Sequence, residues 1–128
     1  MDRYVFDASA ILAIYYNEAG SNRVRDRLSE GESLISAVNV SEVFGKLLDD
    51  DIAESDITTT FEGLDLNVVA FDQDHAMAAA HLLSSTKHLG LSIGDRACLS
   101  LAQKTDATAV TADRIWKKVA DPTIECIR

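Results

Sequence analysis

Four carboxylic acids in apolar surroundings are the residues of this sequence best suited to chemistry. Asp7 follows the apolar residues YVF, Glu42 lies within NVSEVFGKL, Asp95 within LSIGDRACLSLA, and Asp113 ends the stretch AVTAD. A charged side chain is rarely buried without a partner. The position of these acids in apolar segments therefore requires either a helix-capping role or a bound cation.

Each acid taken alone has an ordinary structural explanation. Asp7 and Asp113 fit the N-cap position of a helix, worth about 1 kcal/mol, and Glu42 and Asp95 can complement a helix N-terminus, worth about 0.3–1 kcal/mol. Four carboxylates about 6 Å apart would instead repel one another by ~2–3 kcal/mol per pair at an effective dielectric near 20. Such a cluster needs bound protons or cations. Oxygen donors without clustered His or Cys favour Mg²⁺ or Mn²⁺ over zinc.

Hydrophobic periodicity predicts short strands that alternate with helices along the chain. Ser55 or Asp56, Asp72 or Asp74, and Ser92 are the predicted helix caps. The predicted strands cover residues 3–6, 33–38, 66–71, 108–111 and 123–127, and the predicted helices cover residues 8–16, 21–28, 39–48, 55–64, 72 or 74 to about 85, 94–104 and 113–119.

This alternation predicts an α/β fold with a mainly parallel sheet of about five strands and helices on both faces. Active sites of such sheets form beyond the carboxyl ends of the strands. Asp7 and Asp113 follow predicted strands, Glu42 lies early in the helix after the second strand, and Asp95 lies in the first turn of the helix before the fourth. All four acids are therefore predicted at one edge of the sheet.

Composition limits the class of protein. Residues 1–128 are predicted to form a single domain, because no repeat or linker divides them. The net charge of −9 argues against a broad electrostatic grip on nucleic acid, although a cleft can still hold cations. No apolar stretch approaches the ~20 residues of a membrane span, and the start MDRY does not read as a signal peptide. The sequence thus predicts a cytoplasmic protein.

The sequence resembles the PIN-domain ribonucleases, and most closely the VapC toxins of toxin–antitoxin pairs. The stretches that carry the resemblance span the chain in order: YVFDASAILA, NVSEVFGKL, LSIGDRACLSLA and AVTADRIWKKV. The resemblance implies a PIN-like three-layer α/β/α fold and cleavage of RNA that depends on Mg²⁺ or Mn²⁺. It also implies a homodimer and inhibition by a cognate antitoxin protein.

The resemblance also assigns roles to individual residues. Asp7, Glu42, Asp95 and Asp113 match the acidic quartet of the family. Asp7 and Asp95 are expected to hold the principal metal ion, with the other two acids acting through water or on a second ion. Ser9 and Thr111 match supporting hydroxyl positions. Arg96 and Arg114, which each follow an acid, are candidates for contacts with substrate phosphate, and the alternative for both is a surface salt bridge.

Two other functions are compatible with the residues. A catalytically silent PIN-like scaffold could bind RNA or protein with the same fold. A receiver-like Mg²⁺-binding signalling domain also has acids at strand ends, and Asp72 is the feature that keeps this alternative open. The apolar stretch SAILAIYYNEAG suggests that its helix, with the helix that contains Val40–Leu48, forms a groove for an antitoxin or a second copy. The alternative is a fully buried core helix.

Overall fold

The computed structural model describes residues 2–128 and has an α/β fold, which confirms the predicted class. Five parallel strands form one sheet in the order β3-β2-β1-β4-β5. The strands are β1 (Arg3–Phe6), β2 (Glu32–Ser36), β3 (Asn67–Val69), β4 (Thr108–Thr111) and β5 (Ile124–Cys126).

Six α-helices and two short 3₁₀ turns connect the strands. The helices are α1 (Ala8–Tyr15), α2 (Ser21–Glu30), α3 (Ala37–Asp49), α4 (Glu54–Gly63), α5 (Gln73–Thr86) and α6 (Ile93–Thr105), and the 3₁₀ turns are Lys87–Leu89 and Arg114–Lys118. None of the helices in residues 2–128 has the length and apolar character needed to cross a membrane.

The sheet separates two hydrophobic cores, which gives the molecule three layers. Side chains alternate between the two faces of a strand, so Tyr4 and Phe6 of β1 enter one core and Val5 enters the other. The first core is filled from α1, α2, α3 and α4, and the second from α5, α6 and the 3₁₀ turn that carries Trp116. Apolar burial on both faces therefore fixes β1 at the centre of the sheet and brings its carboxyl end, Asp7, to the middle of one edge.

The strand order argues against a receiver domain. Receiver domains such as CheY have the order 2-1-3-4-5, whereas this chain places β2 between β3 and β1. Asp72, which kept that alternative open, follows the edge strand β3 and caps α5 by accepting the backbone N–H of His75 at 3.0 Å. Asp72 thus has a structural role at the N-terminus of that helix.

The five strands and six α-helices match the sequence predictions in type, with differences at their ends, and one predicted helix has a different type. The second strand ends at Ser36, whose hydroxyl accepts the backbone N–H of Val38, so α3 begins two residues earlier than predicted. The predicted cap of α4 at Ser55 or Asp56 is wrong: Ala53 occupies the N-cap position, and Asp56 lies in the first turn. The segment after Asp113 is a 3₁₀ turn and not an α-helix.

Candidate active site

Asp7 lies directly after β1, and only 4% of it is exposed. Its backbone N–H donates to the carbonyl of Val110 at 2.9 Å, which extends the contact between β1 and β4. Its carboxylate Oδ2 accepts the hydroxyl of Ser9 at 2.7 Å and the hydroxyl of Thr111 at 3.0 Å. Within residues 2–128, no cationic side chain forms an ion pair with it. Hydroxyl groups alone hold this buried carboxylate.

Three acids lie close enough to influence one another. Burial raises the pKa of Asp7 from 3.8 to about 6, the hydroxyls of Ser9 and Thr111 oppose this rise, and the charges of Asp95 and Glu42 add to it. The thiol of Cys98, fully buried in α6, has a pKa raised first by burial and then by the charges of Asp7, Asp95 and Glu42. Asp7, Glu42 and Asp95 therefore form one acidic region at the N-terminal end of α6.

The ends of β1 and β4 are joined by hydroxyl groups. The Ser9 Oγ accepts the backbone N–H of Ala112 at 2.9 Å while it donates to Asp7. The Thr111 Oγ1 accepts the backbone N–H of Asp113 at 3.1 Å while it donates to Asp7. Each hydroxyl thus connects the Asp7 carboxylate to the chain that follows β4, which explains why a small hydroxyl residue suits both positions.

Asp113 lies at the same edge but is exposed. Its carboxylate Oδ1 accepts the backbone N–H of Ile115 at 3.1 Å, so it caps the 3₁₀ turn that follows β4. The capping role expected of this acid taken alone is therefore present. Its backbone, bonded to Thr111, connects it to the residues that hold Asp7.

Glu42 is held from α3 toward the first turn of α6. The side-chain amide of Asn39 donates to Glu42 Oε1 at 2.7 Å and also to the backbone carbonyl of Gly94 at 3.0 Å. A Cβ atom added at Gly94 would overlap both carboxylate oxygens of Glu42. Desolvation raises the pKa of Glu42, the bond from Asn39 lowers it, and the charge of Asp95 raises it. Glu42 and Asp95 therefore approach each other across the α3–α6 contact.

Asp95 combines two structural features at the N-terminus of α6. Ser92 and Asp95 form a capping box: the Ser92 hydroxyl accepts the Asp95 N–H at 3.1 Å, and the Asp95 Oδ2 accepts the Ser92 N–H at 2.9 Å. This confirms Ser92 as the helix cap and fixes the Asp95 carboxylate beside the helix terminus. The same carboxylate raises the pKa of Asp7. Capping and a role in the acidic region are thus not exclusive.

The two arginines that follow acids in the sequence bond to backbone carbonyls. Arg96 Nη1 donates to the carbonyl of Ala79 at 3.1 Å, which connects α6 to α5. Arg114 Nε donates to the carbonyl of Arg128 at 3.1 Å beyond the end of β5. Neither forms the surface salt bridge considered from the sequence, within residues 2–128.

The donor set suits a hard divalent cation. No group of three or more His, Cys, Asp or Glu side chains in residues 2–128 is compact enough to form a complete set of metal ligands. Mg²⁺ typically keeps several waters and binds through one or two carboxylates and substrate phosphates. Asp7, which has no ion-pair partner in residues 2–128, and Asp95, whose charge acts on it, fit this mode. The predicted metal site, with Asp7 and Asp95 on the principal ion and with Glu42 and Asp113 acting through water or on a second ion, stays a prediction.

Sequence reasoning missed two residues of this site. Asn39 was noticeable only as an amide in the apolar stretch of α3, three residues before Glu42 and so on the same helical face. Gly94 was noticeable only as a glycine in the first turn of a helix, where another residue would be a better helix former. Their importance depends on the packing of α3 against α6, which one sequence does not show.

The PIN domain family model matches residues 4–122, which is most of the chain. The chain belongs to the PIN domain family. The resemblance noted from the sequence is thereby confirmed at the level of the family, and the acidic region described above lies within the matched PIN domain residues. No curated protein matches the sequence significantly.

Solved structures of toxin–antitoxin complexes share the fold of this PIN domain. VapBC2 from Rickettsia felis, bound to a promoter DNA fragment, has a TM-score of 0.76 at 17% identity and covers 97% of this chain and 98% of that one. A toxin–antitoxin complex from Klebsiella pneumoniae has a TM-score of 0.77 at 16% identity, with 98% of both chains covered. DNA-bound VapBC from Salmonella typhimurium has a TM-score of 0.74 at 18% identity, with 100% of both chains covered.

Proposed function

We propose that this protein is a divalent-metal-dependent endoribonuclease, the VapC-type toxin of a toxin–antitoxin pair, that acts in the cytoplasm. The observation that carries the proposal is the buried, hydroxyl-held carboxylate of Asp7 with the charges of Asp95 and Glu42 beside it. Folding alone does not require three acids whose charges raise the pKa of Asp7 and of Glu42, since their repulsion lowers stability. Membership of the PIN domain family supports a nuclease.

Asp7 and Asp95 would hold Mg²⁺ or Mn²⁺, with Glu42 and Asp113 acting through water or on a second ion. When bound, the ion supplies positive charge for the phosphodiester and acidifies water in the site. Ser9 and Thr111 keep the Asp7 carboxylate in one orientation through their hydroxyl protons. Glu42, whose pKa is raised by desolvation and by Asp95, is the residue we assign to accept a proton from the attacking water.

Protein partners are the second part of the proposal. The structural neighbours are toxin–antitoxin complexes, which supports an antitoxin as the partner of this chain. Most of α1 is buried in the core, but Leu12 and Tyr16 line a groove with Lys46 and Asp50 of the α3 side. Several large apolar side chains are also exposed and are available for an antitoxin or a second copy: Leu48, Val68, Met77, Leu83 and Ile93.

Cleavage of RNA by purified protein tests the enzymatic part. The wild type, freed of antitoxin by denaturation and refolding, is incubated with RNA and Mn²⁺ beside Asp7→Asn and Asp95→Asn. We expect cleavage by the wild type and a loss of at least 100-fold in both variants, because each removes a negative charge from the proposed cation site. Asp49→Asn, at the exposed end of α3, is the matched control and should cleave like the wild type.

Each of the other possible outcomes contradicts a specific part of the proposed function. Equal cleavage by the wild type and both site variants would reject the assignment of Asp7 and Asp95. Inactivity of every protein, with RNA binding retained, would favour the catalytically silent scaffold.

A further inference from the structure

Asn39 is a fully buried amide that connects the carboxylate of Glu42 in α3 to the backbone of α6. Its Nδ2 group has two protons, and both are used: one donates to Glu42 Oε1 at 2.7 Å and one to the carbonyl of Gly94 at 3.0 Å. Gly94 directly precedes Asp95 in the chain. The amide of α3 therefore sets the position of Glu42 relative to the residue before Asp95.

The same amide has a second feature that a purely structural role does not explain. Its Oδ1 atom is buried and has no hydrogen-bond partner in the described chain. Reversing the amide would not help, because Oδ1 would then face the acceptor oxygens of Glu42 and Gly94. Buried polar atoms without partners lower stability and are uncommon in folded proteins. Asn39 is thus a poor choice for stability alone.

Gly94 of α6 leaves the space that the Glu42 carboxylate of α3 occupies. A Cβ at this position would overlap the Glu42 carboxylate, so the close approach requires glycine. The other glycine of this pair of helices, Gly45 in α3, has open space around its missing Cβ. The need for glycine is therefore specific to the position beside Glu42.

A neutral amide is the chemically suitable group to hold this carboxylate. Glu42 and Asp95 repel each other, and a lysine or arginine between them would neutralise the charge that attracts a cation. An amide donates a hydrogen bond and adds no charge. We propose that Asn39 is a positioning residue, which together with Gly94 holds Glu42 beside Asp95 for cation binding; this inference rests on the proposed function.

Direct Mn²⁺ binding, measured by calorimetry, tests the inference together with thermal melts in EDTA. Asn39→Leu replaces the amide by an apolar side chain of similar length and removes both donors, and Gly94→Ala displaces Glu42. We expect both to bind Mn²⁺ at least tenfold more weakly than the wild type, in the range typical for residues that orient ligands. Both should lower Tm less than a core cavity does, because the two hydrogen bonds lost in Asn39→Leu are partly offset by removal of an unpartnered buried oxygen, and Gly94→Ala introduces a better helix former.

Two control variants separate positioning from stability. Gly45→Ala, the matched glycine change in open space, should bind Mn²⁺ like the wild type. Leu47→Ala, in the core face of α3, should lower Tm through a cavity and keep the wild-type Mn²⁺ affinity.

The outcomes also distinguish this inference from the proposed function. Wild-type Mn²⁺ affinity in both Asn39→Leu and Gly94→Ala, or no binding by the wild type, would overturn the inference. Equal loss of affinity in Leu47→Ala would overturn it too, since loss of stability would then explain the effect. The expected binding pattern without RNA cleavage by the wild type would support the positioning role and reject the ribonuclease.

Discussion

At the scale of single residues, Asp7 combines burial, hydrogen bonds from hydroxyls and neighbouring negative charge. Ser9 and Thr111 stabilise its charged form, while burial and the charges of Asp95 and Glu42 destabilise it more, so its pKa rises to about 6. Helix capping does not explain the presence of Asp7, because its side chain makes no capping hydrogen bond to α1. A bound cation would stabilise the charged form of this carboxylate in its buried, negatively charged environment.

This raised pKa predicts how the stability of the metal-free protein changes with pH. The folded state holds the Asp7 proton with a pKa of about 6, against 3.8 for the ordinary group. Relative to a neutral residue, Asp7 therefore does not lower the free energy of unfolding below about pH 4. Above about pH 6 it lowers this free energy by the full amount. A difference of about two pKa units corresponds to about 3 kcal/mol of the free energy of unfolding.

Urea denaturation in EDTA between pH 4 and pH 8 measures this penalty in the wild type and in Asp7→Asn. Other carboxyl groups titrate in both proteins, so the quantity of interest is the difference between their free energies of unfolding. We expect Asp7→Asn to gain up to about 3 kcal/mol over the wild type as pH rises through this range. Parallel curves for the two proteins would contradict the raised pKa.

At the scale of secondary-structure elements, α6 shows how one residue serves two purposes. Asp95 completes the capping box with Ser92 and also contributes charge to the acidic region. An asparagine at position 95 can still accept the Ser92 N–H, so the cap survives when the charge is removed. The structural and the electrostatic contributions of Asp95 are therefore separable by mutation.

Ser92→Ala should consequently affect mainly stability, and Asp95→Asn should affect mainly Mn²⁺ binding. Ser92→Ala removes the acceptor for the Asp95 N–H and should lower the free energy of unfolding by about 1 kcal/mol, while most Mn²⁺ binding remains because the backbone N–H of Ser92 still holds the Asp95 carboxylate. Asp95→Asn should change stability little in EDTA and weaken Mn²⁺ binding at least tenfold. Chemical denaturation and calorimetry measure the two quantities, and equal profiles for both variants would refute the separation.

Elements were predictable from the sequence wherever local signals were strong. The strands β1 and β4 were predicted at their exact bounds, because short apolar runs end at Asp7 and at Thr111. The start of α3 was missed because Ser36 caps it from the end of a strand, and a serine in a strand is not distinguishable by pattern from a serine cap. The cap of α4 was missed because Ala53 carries no capping side chain.

The edge location of the acids and the supporting hydroxyls of Ser9 and Thr111 were anticipated from the sequence, whereas the contacts of Asn39 were not. Parallel strands bring their carboxyl ends to one edge, so the locations of Asp7 and Asp113 followed from the strand pattern. The bond from Asn39 to Gly94 joins residues 55 positions apart and depends on how α3 packs on α6. No periodicity or spacing carries that information.

At the scale of the whole molecule, the acidic region adds to a chain that is already strongly acidic. The net charge is −9, and the acids of the region come from the end of β1, from α3 and from α6. Of these elements, α3 packs in the first hydrophobic core, α6 packs in the second and β1 contributes to both, so the region cannot relax by moving one loop alone. Repulsion within it therefore acts on the stability of the whole fold.

Binding of a divalent cation should consequently stabilise the entire molecule. A ligand that binds only the folded state adds about 2.7 kcal/mol at 100 times its Kd, which corresponds to a rise in Tm of roughly 10 °C for a domain of this size. We expect Mn²⁺ to produce a rise of this order in the wild type. KCl at the same ionic strength should produce a much smaller one, because screening at ordinary salt acts weakly on partly buried charges.

Asp7→Asn decides whether such a rise in Tm comes from this site. The variant keeps nearly the same net charge and every surface acid that could bind Mn²⁺ nonspecifically, and it lacks only the buried carboxylate at the end of β1. Its Tm should start higher than that of the wild type at pH 7.5 in EDTA, because the buried charge of Asp7 and its repulsion with Asp95 and Glu42 are gone, and should change little with Mn²⁺. A shift as large as that of the wild type would place the stabilising ion elsewhere on the acidic surface and remove the reason for assigning it to Asp7.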